Sequence, residues 1–256
     1  MAGEPAARAE VAPPLPRLQI DIVGRGRLGR SLEVLWTARG HHVRCLGRGE
    51  TATAELIVLA VPDREIAPVA ASLRGGVVLH TSGSVDLAPL AHLDEHGSLH
   101  PLMTFPGPEV AIPDLVGAPA AVDGTPRARE LATRLAIELG MRPVHVPGDR
   151  RLYHAAAVIS GNFATTLLAL AARALEAAGV SADEAPAMLA PLALQSLRNA
   201  AVDPVRALTG PVVRGDLPVL QGHREALAAA GLHDVLAVYE PLVAATAAMA
   251  RARGPG

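Results

Sequence analysis

Apolar positions fall into two regimes along the chain. Up to about residue 147, short apolar runs alternate with segments of helical period. Strands are expected at 18–23, His42–Leu46, Glu55–Val61, Val77–Thr81, Ser98–Leu99, Ala120–Val122 and Pro143–Val146. Helices are expected at Arg27–Ala38, Glu65–Leu73, Leu87–Leu93 and Arg127–Leu139. In the first of these, Leu28, Leu32, Leu35 and Trp36 form an apolar stripe. The run from Leu56 to Val61 does not alternate, as expected of a strand covered on both faces in a parallel sheet. From Arg150 onward no strand is expected. A long helix over Leu152–Ala178 ends at Gly179, and Ser181 or Asp183 can cap a helix to about Ala200. After Pro204, Gly210-Pro211 and Gly215, two more helices follow at Leu217–Ala230 and Asp234–Arg251. The expected fold is α/β: a doubly wound, mostly parallel sheet over 17–147, then an all-α domain over 148–253. Residues 1–16 are Ala/Pro-rich with no apolar core and are expected to be a disordered tail.

The first strand runs into Gly24-Arg25-Gly26-Arg27-Leu28-Gly29. This G-x-G-x-x-G turn opens a helix, which is the context that makes the pattern meaningful. Gly24 makes the turn, Gly26 lets backbone approach a pyrophosphate, and Gly29 lets the helix pack closely. The helix N-terminus then offers amides and a partial positive charge to the phosphates. A dinucleotide is therefore expected, held by residues 24–29 with Ala60, Val61 and Pro62 at the end of the third strand and Thr81 at the end of the fourth. At the end of the second strand, the position that carries an acid for a ribose diol is Gly47, followed by Arg48. An arginine there suits a 2′-phosphate, so NADPH is expected over NADH. The alternative is that Glu50 takes the diol.

Composition narrows the chemistry. The 256 residues carry a net charge of −2, which gives no reason to expect nucleic acid or an anionic membrane as partner. The single cysteine, Cys45, suits a reducing cytoplasm. Ala155–Ala172 has no charged residue, but its Ser160, Gly161, Asn162, Thr165 and Thr166 favour a helix buried in protein over a membrane span. There is no lysine, so all 23 basic residues are arginine, and any ammonium acid or Schiff base is excluded.

Polar groups that can serve a nicotinamide or a substrate cluster in four segments. Thr81, Ser82 and Ser84 follow the fourth strand, where Ser84 can equally cap a turn. His100, fixed by Pro101, follows the next strand and is a candidate proton donor. On the long helix, Tyr153 and His154 precede Asn162, and His154, Val158 and Asn162 share nearly one face. Gly161 in mid-helix suggests close approach by a backbone or ligand. Arg214 can grip a carboxylate or pair with Asp216. His92, His96 and His100 have metal-like spacing but no zinc signature, so no metal is expected.

These segments resemble, from about residue 18 to 250, the bacterial proteins that join a Rossmann-like domain to a helical domain of unknown function. The matching stretches are residues 23–29, 80–83, 98–102 and 153–157, Asn162-Phe163, and 208–211. More broadly, the chain is similar to the superfamily of 6-phosphogluconate and prephenate dehydrogenases, ketopantoate reductase and pyrroline-carboxylate reductase. Ser84 and His100-Pro101 look like the Ser and His-Pro elements of prephenate dehydrogenases. Where ketopantoate reductases place a lysine four residues before an asparagine, this chain has Val158 before Asn162. The resemblance implies a homodimer through the helical domain. The cofactor turn and the polar groups converging near it lead to the expectation of an NADPH-dependent reductase of a small 2-oxo acid, ketopantoate first, with His100 or His154 as donor, Asn162 and Ser82 orienting, and Arg214, Tyr153 and Ser84 on the substrate. Reduction of a cyclic imine, or NADP binding without turnover, are the alternatives.

Overall fold

The computed structural model describes residues 16–252, so the expected tail lies almost wholly outside the described residues. The chain forms two compact units, one running through Gly161 and the other starting at Asn162.

The first unit is a seven-stranded sheet with β1 (Gln19–Val23), β2 (His42–Leu46), β3 (Leu56–Leu59), β4 (Val77–His80), β5 (Glu95–Pro101), β6 (Pro119–Gly124) and β7 (Arg142–Val144). Its order is β2-β1-β3-β4-β5-β6-β7, and every neighbouring pair is parallel except β5 with β6. The non-alternating run in β3 is explained by two cores. Leu56 and Val58 face α1 (Arg27–Thr37) and α3 (Pro126–Glu138), together with Trp36, Leu32 and Leu135. Ile57 and Leu59 face the opposite way, toward Ile66 and Ala70 of α2 (Asp63–Ala71) and Leu90 and Leu93. A strand whose alternate residues enter two cores has no polar face to show.

Two expectations for this unit change. The segment expected as a helix over 87–93 is a single 3-10 turn at Ala88–Leu90. The strand expected as Ser98–Leu99 spans seven residues, because polar Ser98 and small Gly97 sit fully inside the sheet. A Cβ on Gly97 would lie 2.5 Å from the Asp123 carbonyl oxygen. His92 and His96 therefore share no helix face.

The long helix begins at Asp149, whose carboxylate caps α4 (Arg150–Val158). It passes through a π turn at Ile159–Phe163 and continues as α5 (Ala164–Ala177). Gly161 lies in that wide turn, where an added Cβ would meet only the Thr104 Cγ2 at 3.7 Å, so the expected tight approach is not found. Nor is the helix buried. Arg150–Ala177 and His233–Ala252 are long and apolar enough to cross a membrane, and only 6% of each such window is buried. The second unit also contains α6 (Ala185–Val202), α7 (Pro211–Arg214), α8 (Leu217–Ala229) and α9 (His233–Ala252). The Arg224–Glu240 and Arg173–Asp234 pairs join α8 and α5 to α9. Leu192, Leu194 and Leu197 on α6 are more than half exposed.

Candidate functional site

The strand order 2-1-3 puts a topological switch at the carboxyl ends of β1 and β3, where open α/β sheets leave a crevice for ligands. A cavity of about 710 Å³ occupies that place. It is lined by Gly24, Arg25, Gly26, Gly47, Arg48 and Glu50, by Ala60, Val61 and Pro62, and by Arg64. The three glycines divide by role. Gly24 has φ +123°, and a Cβ there would fall 2.3 Å from the Ala60 carbonyl oxygen. A Cβ on Gly29 would fall 2.0 Å from the Gly24 carbonyl oxygen. Both are required by packing alone. Gly26 has φ −75° and ψ 178°, open to any residue, and no atom lies within 4 Å of its Cβ position. Its side of the turn is left clear, as a dinucleotide pyrophosphate requires. The first turn of α1 contains no acid to repel one.

Arg27 is exposed and Leu28 packs on the core, so of the residues after Gly26 neither lines the cavity. Arg48 is exposed at the rim. Glu50 accepts from the Gly47 amide at 2.6 Å and pairs with Arg25 at 2.7 Å, so the carboxylate expected as the alternative diol ligand is already engaged. The loop that carries these residues is anchored by Asp21, buried in β1. Its carboxylate accepts from Arg44 twice at 2.7 Å and from the amides of Thr53 and Ala54. Burial works against the ionised carboxylate, and these bonds outweigh it, holding the Asp21 pKa below its usual value. An acid inside the apolar run of β1 was the signal for this anchor.

At the carboxyl ends of β4 and β5 a second group of side chains meets. The Tyr153 hydroxyl and His100 Nδ1 are hydrogen bonded at 2.8 Å, and their rings pack edge to face. His154 packs edge to face on His100, with ring centroids 6.2 Å apart. Gly83 lies against both imidazoles: a Cβ there would be 2.8 Å from His100 Nε2 and 2.9 Å from His154 Cδ2. Burial, helped by the Arg150 charge, lowers His100 to about 4. It is therefore neutral at pH 7, which leaves it the hydrogen-bonding role of an uncharged imidazole rather than that of an imidazolium.

His80, fully buried at the end of β4, is lowered to about 4 for the same reasons. The Ser82 amide donates to its Nδ1 and its Nε2 faces the Asp86 carbonyl, a pattern that requires the neutral Nε2–H form. The hydroxyls after β4 are largely spent on structure. Thr81 donates to the Leu59 carbonyl, and Ser82 Oγ accepts from the amides of Ser84 and Val85. Ser84 Oγ donates to the Asp63 carboxylate. The hydroxyl that caps this turn is therefore that of Ser82 and not that of Ser84, the expected alternative.

Asn162 and Arg214 belong to the second unit. The π turn also breaks the helical spacing that put Asn162 on the face of His154. Arg214 is exposed and Asp216 caps α8, so the two do not pair. Arg150 and His80 were not singled out from sequence. His80 gave a signal as the one polar residue of an apolar strand, whereas Arg150 reads as part of a charged helix start. Among the described residues no group of three metal-ligating side chains gathers.

No curated protein matches the sequence. Several solved structures share the fold. Protein TM1727 from Thermotoga maritima aligns with a TM-score of 0.73 at 24% identity, covering 91% of this chain and 99% of that one. The reductive aminase from Aspergillus terreus, in complex with NADPH and ethyl-5-oxohexanoate, aligns at 0.65 and 16% identity over 89% and 93%. The 1-pyrroline-5-carboxylate reductase from Streptococcus pyogenes aligns at 0.62 and 15% identity over 91% and 99%. The model of the family described as a domain of unknown function (DUF2520) matches residues 118–255, over half of the chain, and the chain belongs to that family.

Proposed function

We propose that the sheet unit binds NADPH at the glycine turn and that the protein uses it to reduce the C=N bond of a small cyclic imine. The observation that carries the choice of substrate is that the chain has no lysine and that His100, beside Tyr153, is held neutral by burial. Burial keeps His80 neutral at pH 7 as well. A carbonyl needs a proton as its oxygen gains charge. An iminium arrives with its proton already on nitrogen, so no imidazolium or ammonium is needed.

Gly26 leaves room for the pyrophosphate, the start of α1 faces it with free amides, and Arg48 meets the 2′-phosphate. Bound NADPH would supply the hydride. The Tyr153 hydroxyl, oriented by His100, holds the substrate nitrogen, and Gly83 lets the two imidazoles pack against the end of β4. The fold likeness to reductases whose structures contain NADPH agrees with this reading. Ketopantoate is not favoured. Its ketone would need a proton that an iminium already carries. The uncovered leucines of α6 favour a second copy of the chain as their cover, hence a homodimer.

The test is an NADPH-oxidation screen over cyclic imines and 2-oxo acids, run beside a binding assay. Turnover of imines supports the reading. Turnover of 2-oxo acids alone refutes it, and tight binding with no turnover on any substrate points to a sensor.

A further inference from the structure

Arg150 is the first residue of α4. Its Nη2 donates to the Ser82 carbonyl at 2.8 Å and its Nη1 to Ser98 Oγ at 3.4 Å, while its buried Nε finds no acceptor. Both partners are neutral oxygens. Arg44, Arg173 and Arg224 pair with Asp21, Asp234 and Glu240, and Arg39 and Arg74, which like Arg150 donate to backbone carbonyls, are exposed to solvent. Arg150, half-buried, has no carboxylate within 4 Å among the described residues. Its neighbour Asp149 is spent on Arg151, at 2.6 Å. Asp86 and Asp123 reach Arg150 only through space. A partly desolvated cation normally carries a counter-ion, and here the positive end of α4 adds to the imbalance. His80 and His100 contribute no charge of either sign. The missing partner is an anion, and a guanidinium fork is shaped for a carboxylate.

We propose that Arg150 anchors a carboxylate on the substrate, beside Tyr153 and His100. This rests on the imine reading and narrows it to imines that bear a carboxylate. It also moves the carboxylate anchor from Arg214 to the sheet unit.

The experiment compares wild type with Arg150→Met and Arg150→Lys on a cyclic imine bearing a ring carboxylate and on the same ring without it. For the carboxylated imine, KM should rise about tenfold or more in Arg150→Met with kcat changing far less, and partly recover in Arg150→Lys. The carboxylate-free imine should show a much smaller rise in KM than the carboxylated one. Equal losses on both rings, or none, overturn the proposal; equal losses would leave Arg150 only bracing the Ser82 turn.

A second readout needs no turnover and no variant. Pyrrolidine-2-carboxylate and pyrrolidine are titrated into cofactor-free wild type while the His100 imidazole resonances are followed. The carboxylate alone should shift them. If no imine is reduced but that shift occurs, the reduction reading fails and the anion site stands. If imines are reduced and neither compound shifts His100, the anion site fails.

Discussion

Alanine placed at each glycine of the turn separates what the fold needs from what the cofactor needs. At Gly24 a side chain must adopt φ +123° and displace the Ala60 carbonyl, 2.3 Å away. At Gly29 the Gly24 carbonyl, 2.0 Å from the new Cβ, must move by about an ångström to reach normal contact. Each change should cost about 1–3 kcal/mol or more, the usual scale for overpacking or left-handed strain. In a chain of this size that lowers Tm by roughly 2–10 °C. At Gly26 nothing is displaced, and the backbone is already in a region alanine adopts. The fold should lose only about 0.5–1 kcal/mol, as an alanine N-cap is poorer than glycine. The methyl group does enter the space a pyrophosphate would use, so NADPH binding should weaken about tenfold or more, some 1.4 kcal/mol. Thermal melting and an NADPH fluorescence titration on the three variants provide the check. A Gly26→Ala protein that binds NADPH as tightly as wild type refutes the reasoning, as does one that melts with Gly24→Ala.

Other consequences can be measured separately. His80 and His100 are lowered from 6.5 to about 4, so the unfolded chain takes up their protons first. The stability tied to their neutral forms is present above pH 6.5 and lost as pH falls toward 4, by up to about 3 kcal/mol for each. Urea unfolding at pH 7 and pH 4.5 should show this, and a flat profile would contradict it. Tyr153→Phe removes the 2.8 Å bond to His100; it should cost about 1 kcal/mol of stability and lower kcat on imines more than it raises KM. Unchanged kcat would remove Tyr153 from the reaction. Asp21→Asn keeps the shape of the loop anchor but loses its charge, so about 1–3 kcal/mol should be lost in urea titrations.

The parts of the fold set by local pattern were legible in the sequence. Leu56–Leu59 announced a strand covered on both faces, and the glycine turn announced the crevice at β1 and β3. Two things were not legible. Strand β5 hides behind His96, Gly97 and Ser98, whose polarity is tolerated because tertiary partners cover it. The charge state of His100 depends on burial and on Arg150, which is 50 residues away along the chain. Spacing also placed Asn162 on the His154 face, and the π turn removes it from that register. The hydroxyls of Thr81 and Ser84 read as ligand groups until their partners, the Leu59 carbonyl and the Asp63 carboxylate, were known.

The account rests on a dinucleotide at the glycine turn, selected by Arg48. Equilibrium titration of wild type and Arg48→Ala with NADPH and NADH tests it most directly. NADPH should bind wild type about tenfold or more tightly than NADH, and Arg48→Ala should bring the two together by weakening NADPH alone. No binding of either cofactor, or equal affinities in both proteins, would contradict it.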